Sequence, residues 1–136
     1  MGKNHLSRLA ASNSLGIKRK ATKWITRPVA GPHPVNSCVT LSTLLKNMLE
    51  YARTEKEVRM ILNQKNILVD KKVRTEYKFP VGFMDVIDVP LLSEHYRLVY
   101  NNRGKFSLVA IKKDQSNFKL LKIVRKNLVK GGKIQL

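Results

Sequence analysis

Residues 41–87 contain two short apolar repeats of helical period followed by extended segments, and this order constrains the fold more than any other feature of the sequence. The first repeat places apolar residues three and four positions apart, which predicts an amphipathic helix. Thr40 or Ser42 can cap its start with a side-chain oxygen. The apolar face of this helix is predicted to contain Leu41, Leu44, Leu45, Met48, Leu49 and Ala52.

A capping box predicts where the second helix begins. Thr54 is followed three residues later by Glu57. Each of these side chains can therefore accept a hydrogen bond from a free backbone amide at the start of the helix. A connection of about three residues around Arg53 would make the two helices double back and bury their apolar faces against each other. We expect the second helix to end near residue 63, with an apolar face made by Val58, Ile61 and Leu62.

The segment after the helices is predicted to form a tight β-hairpin. An apolar run at residues 67–69 precedes Asp70 and Lys71, and Val73 lies in a second extended piece. A two-residue turn of this kind needs positive φ at both central residues, where lysine costs roughly 1 kcal/mol. The sequence alone therefore predicts that Lys71→Gly raises stability. A further short strand is predicted at residues 84–87, where Asp85 is interpreted as structural.

Alternating apolar residues predict a second hairpin downstream. The turn between its strands ends at Gly104, which can adopt positive φ without strain. The aromatic side chains of the two strands could stack on bases, but such a stripe more often packs in a core. One strand is predicted through Tyr96, Leu98 and Tyr100, and the other through Phe106, Leu108 and Ala110.

Residues 117–136 are compatible with two structures. The spacing of Leu120, Leu121, Val124 and Leu128 fits a helix. Alternation from Phe118 onward also allows a strand. The residues by themselves leave both possibilities open.

The distribution of charge indicates the chemistry of the partner. The 136 residues include 27 Lys+Arg and 9 Asp+Glu, giving a net charge of +18. Residues 1–49 hold eight of these bases and no acid, residues 50–100 are nearly balanced, and residues 101–136 hold ten bases and one acid. So strong a positive charge repels itself and favours a polyanionic partner, either a nucleic acid or an anionic membrane surface.

Residues 1–37 are predicted to form a basic arm without a core of its own. Glycines and prolines interrupt any apolar period, and rings are interleaved with cations. Such a segment can order on RNA, because cations pair with phosphates while rings stack on splayed bases. For Trp24 alone, the sequence leaves open both stacking on RNA and packing on the domain. The candidate RNA-binding residues of the arm are Lys3, His5, Arg8, Lys18, Arg19, Lys20, Lys23, Trp24 and Arg27.

The helical pair and first hairpin add further cations on their outer side. Lys46 faces away from the apolar stripe of the first helix, and the turn of the hairpin is itself basic. We expect these side chains to meet RNA phosphates. The candidates are Lys46, Arg53, Arg59 and Lys65 on the helices and Lys71, Lys72 and Arg74 on the hairpin.

The sequence contains no recognisable motif for catalysis, metal binding or membrane insertion. His5, His33 and His95 are far apart in the sequence, and Cys38 is the single cysteine. No apolar run reaches the length of a membrane span, and the first residues lack the apolar core of a signal peptide. We therefore expect a cytoplasmic protein that is not an enzyme and has no cofactor, metal site, membrane partner or small-molecule substrate.

Several stretches resemble one known family. The order of two helices, NILVDKKVRT and YKFPVGFMDVI is similar to the S-four-type RNA-binding domain, in the version found in small-subunit ribosomal protein S four, e type. KNHLSRLAA, IKRKATKWITRP, GPH and YRLVYNNRGKFSLVAI resemble the archaeal form of that family. Two positions depart from it, because Ser12 and Leu15 stand where archaeal relatives usually have proline and tryptophan.

The resemblance implies an α+β fold in which a helical pair packs on a small β-hairpin sheet. It implies a basic extended arm at residues 1–37, an S-four-type RNA-binding domain at 38–90, and part of a second small β domain at 91–136, with strands favoured at its end. Relatives continue to about twice this length through a KOW-type domain, so we expect a short form or a fragment.

The function implied is that of a structural constituent of the small ribosomal subunit, which contacts small-subunit ribosomal RNA and neighbouring ribosomal proteins. A different class is a free-standing RNA-binding factor, for example one that rescues stalled ribosomes. A polycation that binds membrane surfaces is a third alternative, disfavoured by the predicted helical pair and hairpin.

Overall fold

A computed structural model describes residues 5–18 and 20–135 of the chain. In these residues it contains two main helices, four 3-10 helices of one turn and eleven short strands. Helix α1 starts as an α-helix at Leu41–Thr43 and continues as a π-helix at Leu44–Met48, and helix α2 is Glu55–Asn63. The strands are β1 Leu6–Ser7, β2 Trp24–Ile25, β3 Cys38–Thr40, β4 Leu68–Val69, β5 Lys72–Val73, β6 Pro80–Gly82, β7 Val86–Val89, β8 Glu94–Tyr100, β9 Phe106–Ala110, β10 Asn127–Val129 and β11 Lys133–Gln135.

Helix α1 begins where the sequence predicts but ends early. The Thr40 side chain accepts a hydrogen bond from the Thr43 amide at 3.2 Å. The Leu49 amide donates to the Leu44 carbonyl at 3.0 Å, a five-residue step that belongs to the π turn. The predicted extension to Ala52 is wrong, because Glu50 has a φ of 57° and leaves the helix. The connection to α2 is therefore about twice the predicted length.

Helix α2 confirms the capping box. The Glu57 amide donates to the Thr54 side chain at 3.2 Å, and the Glu57 carboxylate accepts from the Arg53 amide at 2.8 Å. These backbone and side-chain hydrogen bonds lower the pKa of Glu57. The helix ends at Asn63, as predicted, and Gln64 follows as its C-cap.

The main sheet is antiparallel and has the strand order β5-β4-β7-β8-β9. The β4–β5 hairpin is confirmed, and both turn residues have positive φ, with Asp70 at 48° and Lys71 at 65°. Ile87 of β7 pairs with Tyr96 of β8. Sheet hydrogen bonds therefore cross the boundary expected near residue 90.

The hydrophobic core lies between the helices and this sheet. Leu44, Leu45 and Leu62 from the helices belong to the same buried cluster as Ile87 and Leu98 from the sheet. Together with the strands, this arrangement confirms the predicted α+β class. No helix in the described part of the chain is long and apolar enough to cross a membrane.

The N-terminal segment is packed more closely than an extended arm would be. Strands β1 and β2 form an antiparallel pair in which Ser7 lies opposite Trp24. Leu15 is only 9% exposed and belongs to the main core cluster. This packing was not predicted, because a single leucine in a basic segment shows no apolar period.

The C-terminal segment forms a small separate hairpin. Strands β10 and β11 pair with each other, and no regular element spans 118–126. The helical alternative for this region is wrong, and strands form only in its last part. The apolar side chains of the hairpin are exposed.

The aromatic residues of β8 and β9 divide between core and surface. Phe106 is buried, whereas Tyr100 is partly exposed and its ring lies 4.4 Å from that of Phe106. Phe83 continues the row at 5.4 Å from Tyr100. Burial raises the pKa of Tyr100.

Candidate RNA-binding surface

An open groove of about 840 Å³ lies between the N-terminal hairpin and the helices. Strand β2 and the residues that follow it line one side, and α1, the α1–α2 connection and the start of α2 line the other. The groove gathers five of the predicted RNA-binding residues, which are His5, Trp24, Arg27, Lys46 and Arg53. Distant parts of the sequence thus contribute to one concave surface.

Two residues of the groove were not predicted from the sequence. Tyr77 and Lys78 line it beside the cations named above. The backbone carbonyl of Tyr77 accepts from the Ser42 amide at 2.9 Å, which brings this loop to the start of α1. A basic residue next to an aromatic one, as in EYKFP, was the available signal.

Trp24 projects into the groove instead of the core. Its side chain is 53% exposed. The His5 ring lies 5.4 Å away at an angle of 49°, and the Lys23 ammonium lies 5.6 Å from the indole centroid. The indole is therefore a partly open aromatic surface next to cations.

Two carboxylates also line the groove. Glu55 accepts a hydrogen bond from the Thr26 hydroxyl at 2.7 Å, so its charge is directed at the N-terminal segment. Glu50 is exposed on the connection between the helices. The cations outnumber the acids here, but they do not form an uninterrupted positive track.

Two predicted arginines lie over aromatic rings. The Arg59 guanidinium is 4.2 Å from the centroid of Tyr77, which itself lines the groove. The Arg74 guanidinium is 4.4 Å from the Phe79 centroid. Stacking holds each guanidinium plane in place while its edge can still donate hydrogen bonds.

Arg8 departs from the expectation of an exposed cation. It is 7% exposed, and its guanidinium donates to the Ile17 carbonyl. Its role in the structure is to hold the loop between β1 and β2. Lys3 and Arg19, which the sequence analysis also proposed, lie outside the described residues.

Lys71 is engaged within the protein. Its ammonium lies 2.9 Å from a carboxylate oxygen of the buried Asp88 and 2.6 Å from the Ser116 hydroxyl. His95 contacts the other oxygen of Asp88 at 2.6 Å. The remaining predicted cations are exposed but do not line the groove, and these are Lys18, Lys20, Lys23, Lys65 and Lys72.

Asp85 connects three separate segments, in agreement with its structural interpretation. Its carboxylate accepts from the Gly82 amide at 2.8 Å, lies 2.8 Å from the His33 ring and contacts the Lys119 ammonium. Lys119 also contacts Asp70. Burial opposes the charge on Lys119, but the two carboxylates outweigh burial and raise the pKa of Lys119.

The titratable side chains in the described part of the chain are not grouped as metal ligands. In residues 5–18 and 20–135 no cluster of three or more His, Cys, Asp or Glu side chains could hold a metal ion. Cys38 is a buried free thiol, and burial raises its pKa to about 11. A thiol with so high a pKa is a poor nucleophile.

Family models match the chain in three consecutive regions. The RS4NT (NUC023) domain matches residues 1–36, the S4 domain matches residues 40–87, and Ribosomal family S4e matches residues 92–136. By sequence, the chain resembles members of the ribosomal S4e family along nearly its whole length. The resemblance seen in the separate motifs is confirmed, and all three regions occur in the order expected.

Individual S4e relatives match along almost the whole chain. Small ribosomal subunit protein eS4 of Dictyostelium discoideum is 43% identical over 90% of this chain and 46% of its own length. The protein of the same name from Korarchaeum cryptofilum is 38% identical over 99% of this chain and 57% of its own length. That from Staphylothermus marinus is 40% identical over 99% of this chain and 54% of its own length. The chain thus spans about half the length of these relatives.

A solved S4e structure shares the fold. The crystal structure of the 30S ribosomal protein S4e from Thermoplasma acidophilum is 38% identical, with a TM-score of 0.58. The match covers 73% of this chain and 50% of that one. The matched part of the chain therefore has the fold seen in an S4e crystal structure.

Proposed function

We propose that the chain is a structural constituent of the small ribosomal subunit that binds ribosomal RNA through the groove face. The observation that carries the proposal is the convergence of Arg27, Lys46, Arg53 and Lys78 on one concave surface. These residues come from four separate segments, so the fold itself assembles the positive surface. Relatives named as small ribosomal subunit proteins support the same assignment.

The cations outside the groove extend the proposed surface. Arg59 and Arg74 are oriented by aromatic rings, and the exposed lysines of the arm and hairpin add charge around the groove. Arg8 and Lys71 serve mainly to hold the protein together, and their contribution to RNA binding is indirect. The partners would be small-subunit ribosomal RNA and neighbouring ribosomal proteins, in the cytoplasm.

We also propose separate roles for the three regions of the chain. The basic segment at residues 1–37 and the S4-type region at 38–90 would bind RNA together, because they share the groove. Residues 91–136 would contribute strands to the common sheet and would end in a basic segment that lies outside the groove. This role is one of binding and needs no catalytic group.

Salt dependence tests the electrostatic part of the proposal. Each neutralised phosphate is expected to contribute roughly 0.7 to 0.9 log units of affinity per decade of salt. Arg53→Ala should reduce the slope of affinity against salt concentration by about one such contribution. Lys130→Ala, in the turn between β10 and β11 and outside the groove, should leave the slope nearly unchanged. A flat salt dependence of the unmodified protein in filter binding would refute the proposal.

Sedimentation tests the assignment to the subunit. A constituent stays with small subunits through a high-salt gradient, and a transient factor is removed. Loss of the protein from purified subunits under these conditions would favour the free-standing RNA-binding or rescue factor instead.

A further inference from the structure

The only tryptophan of the chain is exposed in a place where the surrounding structure holds it firmly. Trp24 keeps 53% of its side-chain area exposed, although burial of an indole would contribute strongly to stability. The Arg8 amide donates to the Lys23 carbonyl at 3.1 Å, which fixes the backbone on one side of Trp24. On the other side, the Thr26 hydroxyl donates to Glu55 at 2.7 Å.

The exposed ring is therefore preorganised. His5 flanks it at 5.4 Å without covering it, and Lys23 places an ammonium 5.6 Å from its centroid. Aromatic rings held at a groove wall are suited to stacking on nucleic acid bases, because each base has a π face. A ring that served only as packing would turn toward the core.

The charges around Trp24 favour a discrete nucleotide over a continuous phosphate track. Arg27, Lys46 and Arg53 can hold phosphates, but Glu50 and Glu55 lie in the same lining and would repel them. A volume of about 840 Å³ is in the range of pockets that enclose small organic ligands. In an A-form duplex the base faces are hidden within the stack, so an indole cannot reach them.

We propose that the groove captures one unstacked RNA nucleotide, with its base on the indole of Trp24 and its phosphates on the groove cations. This inference rests on the proposed RNA-binding function and specifies the form of RNA that the groove recognises. The protein would distinguish a bulged or single-stranded nucleotide from a regular duplex at this position.

Intrinsic fluorescence tests the proposal directly, since all indole emission comes from Trp24. We expect a short single-stranded oligoadenylate to quench the emission of the full chain at saturation. A blunt RNA duplex and inorganic polyphosphate, matched in phosphate concentration, should leave the emission nearly unchanged. Anisotropy of a labelled RNA, measured in parallel, reports binding independently of the indole.

The RNA affinity of Trp24 variants is the second test. Trp24→Ala should weaken oligoadenylate binding roughly 5- to 150-fold while leaving duplex binding unchanged. Trp24→Phe keeps a ring for stacking and should retain most of the affinity. The matched control is Phe118→Ala, because Phe118 is 56% exposed but lies outside the groove. It should bind both forms of RNA like the unmodified protein.

The outcomes separate the two proposals. If the labelled oligoadenylate binds with no change in emission, or if Trp24→Ala weakens single-stranded and duplex binding equally, the nucleotide site is refuted and RNA binding stands. Quenching by polyphosphate alone also refutes the site. If neither form of RNA binds, the proposed function itself fails.

Discussion

The Thr26 hydroxyl donates a hydrogen bond to the carboxylate of Glu55 at 2.7 Å, and this contact joins the N-terminal segment to the first turn of α2. The same hydroxyl lies 3.4 Å from the Ser42 side chain at the start of α1. One threonine thus contacts both helices, and it lines the groove together with Trp24 and Arg27.

Thr26→Val is expected to loosen the N-terminal hairpin. The substitution preserves shape but removes the donor, so it should lower the free energy of unfolding by about 0.5 to 1.5 kcal/mol. Hydrogen exchange should also accelerate at the Arg8 amide, which bonds across the hairpin. Thr75→Val, at an exposed threonine, is the control. Equal midpoints for the two variants in urea would contradict a role for the Thr26 contact.

Leu15→Ala tests whether the N-terminal segment is part of the core. Leu15 is 9% exposed, so truncation should cost about 2 to 3 kcal/mol through lost burial and a cavity. Leu9 lies in the same segment but is 68% exposed, and Leu9→Ala should cost less than about 0.5 kcal/mol. Chemical denaturation measures both values. If Leu15→Ala left the free energy of unfolding unchanged, the unpacked arm expected from the sequence would be favoured instead.

Lys71 combines backbone strain with an ion pair, and two substitutions separate them. Its left-handed conformation favours glycine by about 1 kcal/mol. Its ammonium also neutralises the buried Asp88 at 2.9 Å, so removing it leaves that carboxylate less well compensated. We expect Lys71→Gly to lower stability, contrary to the prediction from sequence, and Lys71→Met to lower it by about 1 kcal/mol more. The urea midpoints of both variants check this order, and a stabilised Lys71→Gly would show that strain outweighs the ion pair.

Asp70 should make stability depend on pH in the acid range. Burial opposes its ionisation, but the Lys119 ammonium and the Val86 amide outweigh burial and lower the pKa of Asp70 below the ordinary 3.8. A carboxylate with a lower pKa in the folded protein than in the unfolded chain stabilises the folded state fully when the pH is above the unfolded pKa. This stabilisation is lost as the pH falls through the folded pKa. Urea midpoints should therefore fall less steeply below pH 3.8 in Asp70→Asn than in the unmodified chain. Asp114→Asn is the control at an exposed aspartate, and identical profiles for all three proteins would contradict the assignment.

Local sequence signals predicted the structure well where near neighbours decide it. The capping box of Thr54 and Glu57 involves residues three apart, and the turn at Asp70 and Lys71 involves two adjacent residues. Gly104 likewise adopts the positive φ that its turn needs, at 67°. The π turn of α1 was not predictable, because apolar spacing does not distinguish a four-residue step from a five-residue step at the end of a short helix.

The candidate site was predicted as a set of residues but not as a shape. Charge and ring content identified His5, Trp24, Arg27, Lys46 and Arg53, and the structure brings these together. Charge alone could not show that Arg8 is buried or that Lys71 is paired with Asp88. Those contacts join residues that are distant in sequence.

The sequence by itself determined the excess of positive charge, the helix caps and the hairpin turns, because each depends on composition or on residues within one or two turns of each other. Only the tertiary structure decided which cations face the groove and which are neutralised within the fold. It also decided that Trp24 remains open while Leu15 is buried. The reason is that burial and ion pairing depend on the contacts of the folded chain, and a basic residue has the same sequence signature whether its partner is a phosphate or a buried carboxylate.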